Sequence, residues 1–188
     1  MGDLKALLEN LDRDNSSTMN EHLGGVELLE IAVLRGHLLV EQKVGALLEA
    51  YSGTAPKVVL AHLGRLSFNK KLQLLRDFWL EFRVFQEGAY SALWGLLGAL
   101  GEVRNAIAHQ LEGEGWHQKL KVLRQKYVEL KRVSASSGEG ADPAESTEEP
   151  EDDLDLINWV SWNCCSLLTL HLGLFAVQAR ATKPERLN

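Results

Sequence analysis

The sequence predicts an all-α protein, an antiparallel bundle of about five to seven helices, and three observations carry that prediction. Apolar residues recur at intervals of three and four in long runs, with almost none of the alternation that half-buried strands require. Connections between the runs are short except for one. The chain of 188 residues, 45% hydrophobic, is long enough to bury one sizeable core, so residues 1–188 read as a single domain.

Each run can be justified in order. From Asn20 to Ser52, Leu28, Ile31, Leu34, Leu38, Glu41, Val44 and Leu48 are spaced three or four apart, predicting one long helix with Asn20 as its cap and the Gly24-Gly25 pair as a soft start. "APKVVLAHLGRL" predicts a short helix opened by Pro56 and closed near Gly64. "SFNKKLQLLRDFWLEF" predicts a helix capped by Ser67, with Phe68, Leu72, Leu75 and Trp79 on one side.

From Gly88 to Leu111 the stripe is Leu93, Leu96, Leu97, Leu100, Val103 and Ile107. Gly95, Gly98 and Gly101 repeat every third residue there, which costs helix stability and allows close backbone approach. "GWHQKLKVLRQKYVELKRV" predicts an amphipathic, basic helix exposing Lys119, Lys121, Arg124, Lys126, Lys131 and Arg132. The last run, Leu154 to Ala181, is apolar nearly all round, so it is expected at the centre of the bundle or in a subunit interface. Asn158, Asn163, Ser166, Thr169 and His171 distribute polarity through it, which favours a core helix over a membrane span.

Residues from about 134 to 153 lack apolar periodicity and are rich in Ser, Gly, Pro and Glu, as expected of a flexible loop. Nine acids and no base lie between Ser134 and Asp155; without them the formal charge of -6 becomes +3. The folded part is therefore mildly basic, and the acidic loop either keeps itself solvated or contacts the basic helix beside it. Cys164 and Cys165 are adjacent within an apolar helix, where a disulfide would be strained and would staple nothing. Reduced thiols, no secretory signal at the N-terminus and no membrane association predict a cytoplasmic protein.

There is no phosphate loop, His-Glu-x-x-His, Cys-x-x-Cys or Gly-x-Ser-x-Gly, so most nucleotide hydrolases, zinc enzymes and serine hydrolases drop out. Of the histidines, only His37 with Glu41 has a four-residue spacing for two ligands on one face, and two groups do not make a metal site. No metal and no cofactor are expected.

The remaining constellation is "VRNAIAH", where Arg104, Asn105 and His109 close an apolar helix. An imidazole moves protons near neutral pH, and a guanidinium holds a phosphate oxygen without ever losing its charge. Such a set is suited to cleaving RNA without a metal, because RNA brings its own nucleophile in the 2′-hydroxyl. The bland alternative is a solvated helix terminus with His109 near the C-terminal dipole. Arg104 and His109 are offset by roughly 140° around a helix, so one chain does not easily bring both to one point.

"VRNAIAH", preceded by "RGHLLVEQKVGALLEAY" and by "SFNKKLQLL", resembles the HEPN superfamily over roughly Asn20 to Gln110. The resemblance implies a helical bundle and, for many members, metal-independent endoribonuclease activity in toxin-antitoxin, abortive-infection or CRISPR systems. It implies a homodimer whose two motifs form an RNA cleft, and an antitoxin or defence-system protein as a further partner. Arg104 and His109 would then be catalytic, Asn105 supporting, and Glu41 a partner that orients His109. One toxin branch carries a modifiable Tyr two residues after the His; here that position is Leu111. Other members have lost catalysis and act as interaction, nucleotide-binding or regulatory modules.

Overall fold

The computed structural model describes residues 2–53, 57–82, 87–109, 115–136 and 150–181. Seven helices and no strands are found among them: α1 Gly2–Leu23, α2 Leu29–Ser52, α3 Lys57–Gly64, α4 Phe68–Phe82, α5 Glu87–His109, α6 Gly115–Ser136 and α7 Asp153–Ala181. The acidic stretch 137–149, Pro56 and Leu111 lie outside the described residues.

The long helix expected from Asn20 to Ser52 is instead the end of α1 and the whole of α2. Gly25 adopts φ 71°, a left-handed conformation that stops a helix. Asn20 accordingly sits inside α1, where its carbonyl accepts the Gly24 N–H at 3.0 Å. The glycine pair terminates one helix rather than softening the start of another. Ser67 holds the expected place at the head of α4, its carbonyl accepting the Lys71 N–H at 2.9 Å.

The core is built on α2, α5 and α7. Leu93, Leu96, Leu97, Leu100, Val103 and Ile107 are all buried, as the stripe of α5 requires. Leu120, Leu123, Tyr127 and Leu130 bury the apolar face of α6 against it. α7 is buried at Leu156, Ile157, Val160, Cys164, Cys165 and Leu168, and it packs on α2 and α1. Its segment Asp153–Val177 is long and apolar enough to cross a membrane by length and composition alone.

On α2 the apolar pattern divides differently from the expected stripe. Val44 and Leu48 are buried, but Leu28, Ile31, Leu34 and Leu38 are 60, 39, 41 and 55% exposed. The helix buries Ala32, Val33, Gly36, His37, Leu39 and Val40 instead. Small side chains on that face let α7 come close: a Cβ at Gly36 would collide with the Ser161 Oγ. α2 and α7 run in the same direction, since Gly36 opposes Ser161 and, further along, Tyr51 meets His171 and Phe175. α5 and α6 are antiparallel, with Gly95 beside Lys126 and Glu102 paired with Lys119. α6 and α7 are parallel, because Arg124 holds Asp153 while Tyr127 lies against Trp159.

Arg124 also donates to the carbonyls of Pro150 and Asp152, at 3.0 and 3.2 Å. The far end of the acidic segment is thereby anchored to the basic helix. Asn15, in a glycosylation-like sequence, is buried and accepts from the Thr169 hydroxyl, tying α1 to α7. Both cysteines are free and buried, and desolvation raises their pKa values, as inert core thiols require.

Candidate functional site

Arg104, Asn105 and His109 occupy the last two turns of α5, where its buried stripe narrows to Val103 and Ile107. The intervening positions therefore turn outward, and Arg104 and Asn105 are half-buried while His109 is exposed. The Arg104 Nη1 donates to the Asn105 Oδ1 at 3.1 Å. That bond fixes the guanidinium beside the Asn105 amide. Among the described residues no hydrogen bond or ion pair joins His109 to Arg104, Asn105 or Glu41. The helical offset between Arg104 and His109 keeps the two groups on different sides of α5.

Glu41 has other partners. Its Oε1 accepts from the Lys71 Nζ at 2.7 Å, and its Oε2 lies 3.9 Å from the His37 Nδ1, one turn earlier on α2. Both Lys71 and His37 are buried, so the Glu41 carboxylate is the charge that allows an ammonium to sit in the groove between α2 and α4. The first turn of α4 brings Phe68 edge-on to the His37 ring, with centroids 4.4 Å apart.

Gly101, three residues before Arg104, meets the same turn. A Cβ there would stand 3.0 Å from Phe68 Cδ1 and 3.8 Å from Asn69 Oδ1, so α4 closes on α5 only because this residue is glycine. Gly95 faces the aliphatic part of Lys126, whereas nothing approaches Gly98. The threefold glycine spacing is therefore not one seam.

His37 is held neutral. Burial pushes its pKa down from 6.5 to about 4, with Glu41 opposing and Arg104 and Lys71 reinforcing the shift. The influence of Arg104 on His37 places α5's guanidinium in the electrostatic neighbourhood of the α2–α4 cluster. With Glu41 and Lys71 cancelling, the cluster keeps one net positive charge, on Arg104. His109 is the one of the two histidines that faces water.

His37, Phe68 and Lys71 belong to this neighbourhood and were not legible as such. The four-residue spacing of His37 and Glu41 was a signal, but it pointed to metal chemistry. No group of three or more His, Cys, Asp or Glu suited to a metal ion occurs among the described residues. Comparisons of the chain with family models, with curated proteins and with solved structures give no match.

Proposed function

We propose that this protein is a metal-independent endoribonuclease of the HEPN kind, acting in the cytoplasm in a toxin-antitoxin or antiphage-defence setting. The observation that carries this reading is the half-buried Arg104 guanidinium held by Asn105, about one and a half helical turns from the exposed imidazole of His109. In this scheme His109 takes the proton of the RNA 2′-hydroxyl. The 2′-oxygen attacks the adjacent phosphorus, and the P–O bond to the 5′-oxygen breaks. Water protonates the departing 5′-oxygen, leaving a 2′,3′-cyclic phosphate and a 5′-hydroxyl. Arg104 neutralises the charge that builds on the phosphorane.

Because Arg104 and His109 diverge around α5, the site is completed by a second copy of the chain, with Arg104 of one serving His109 of the other. Single-stranded RNA incubated with the protein in EDTA should be cut, and His109→Ala or Arg104→Ala should lower the rate by about 100-fold or more. Intact RNA with the parent protein, or cleavage undiminished in either variant, would sink the reading. A non-catalytic partner-binding or nucleotide-binding module is the second reading, favoured by the lack of any hydrogen bond or ion pair between Arg104 and His109 among the described residues. That reading expects a complex with an antitoxin-like or defence protein that survives His109→Ala.

A further inference from the structure

Away from the α5 terminus, a cleft of about 580 Å³ opens between α1, α6 and α7. Its size falls within the range of small-molecule sites, roughly 300–1,000 Å³. Three aromatic residues line it: Tyr127 from α6, and Trp159 and Trp162 from α7. Met19 and Leu23 of α1 supply an apolar side. Walls of this kind favour a flat ring, which stacks against aromatic faces at little cost in conformational entropy.

The polar groups of the cleft fall into two classes. Asn163 is already engaged: its Nδ2 donates to the Trp159 carbonyl at 2.8 Å. Asn158, one turn away on the same helix, is not. Its Oδ1 is shut off from solvent and has no hydrogen-bond donor among the described residues, so the amide enters the lining through its other atoms. A buried acceptor left this way is destabilising, and a ligand in the cleft does not reach it.

Charge selects the rest of the ligand. Lys131 lines the cleft, and among the described residues no Asp or Glu does. Elsewhere on α6, Lys119, Arg124 and Lys126 are each paired with a carboxylate, on Glu102, Asp153 and Glu129. Lys131, like Lys121 and Arg132, forms no ion pair among the described residues, and of these three it alone lines the cleft. A half-buried ammonium beside aromatic walls, with no acid near it in the lining, suits an anion and repels a cation.

We infer that this cleft binds a small planar aromatic anion, a ring for the faces of Trp159 and Trp162 and one carboxylate or phosphate for Lys131. The site is separate from the α5 terminus and does not depend on the ribonuclease reading. Two probes distinguish the sources of the anionic group: indole-3-acetate, a carboxylate on an N–H ring, and adenosine monophosphate, a phosphate on an amino-bearing ring. Their uncharged counterparts are 3-methylindole and adenosine.

Calorimetric titration of the full chain should show saturable binding of at least one anion at concentrations up to about 1 mM, with its neutral counterpart about ten-fold weaker. Binding of indole-3-acetate alone identifies a carboxylate ligand, and of adenosine monophosphate alone a phosphate one. Lys131→Gln should bring the anion down to the level of the neutral ring and leave the neutral ring unchanged. Trp162→Ala should weaken both, because the ring loses a stacking face. The melting curves of the variants establish that they are folded. Two results overturn the proposal: neither anion binding the folded parent chain, or Lys131→Gln leaving anion affinity as it was.

Discussion

At the scale of single residues, two histidines report how deeply their surroundings are desolvated. Burial lowers the pKa of both His37 and His171 from 6.5 to about 4. His171 is in hydrogen-bonding contact with the Tyr51 hydroxyl in the core. A depressed histidine pKa means that between pH 6.5 and 4 the unfolded chain binds more protons than the folded one. Stability is therefore fully present above pH 6.5 and is lost as the pH falls toward 4. The thermal midpoint should drop between pH 7 and pH 5, and in a His37→Gln, His171→Gln double variant that slope should flatten. Equal slopes in parent and variant would mean that other groups set the acid sensitivity.

The Glu41–Lys71 pair makes a second residue-scale prediction. Lys71→Met removes the partner that neutralises a partly buried carboxylate and should cost about 1–3 kcal/mol in denaturant unfolding. Adding Glu41→Gln should recover part of that loss, because the uncompensated charge goes with it. A double variant no more stable than Lys71→Met would show that packing, rather than charge, governs the groove.

At the scale of elements, α2 is the instructive helix. Its apolar residues are more numerous than one face can hold, so periodicity alone leaves two faces competing for the core. The face that wins carries Ala32, Val33, Gly36 and Val40, since small side chains allow α7 to approach more closely than a row of leucines would. Gly36→Val should therefore cost about 1–3 kcal/mol by overpacking against Ser161 and Ile157. Leu38→Lys, on the exposed face, should change the stability of the isolated chain by less than about 0.5 kcal/mol. In α5 there is no such competition: one stripe is apolar and the other is not. Leu96→Ala, at a fully buried position, should cost about 2–5 kcal/mol.

At the scale of the whole molecule, the proposed catalytic groups diverge around one helix, and the proposed ribonuclease pairs them across two copies of the chain. Arg104→Ala and His109→Ala, each inactive alone, should on mixing and exchange of subunits recover roughly a quarter of parental RNA cleavage. Random pairing makes half of the dimers mixed, and each mixed dimer retains one intact site of two. Activity that stays at background after verified exchange would place both groups in the same subunit.

The sequence by itself determined the helical class, the stripe of α5, the basic amphipathic α6, the buried α7 and the thiol state of the cysteines. Each of these rests on local periodicity or on chemistry within one segment, so it survives without knowledge of neighbours. It also marked Arg104, Asn105 and His109 as a polar group at a helix end, which position along the chain is enough to show. Only the tertiary structure decided that Gly24 and Gly25 break the helix, that α2 buries its small-residue face, and that Glu41 belongs to Lys71 and His37. The aromatic cleft of α1, α6 and α7 is likewise a product of assembly. Its walls come from three segments far apart in the chain, and contacts at such separations are set by which faces can pack most closely, a property of pairs of helices and of no single one.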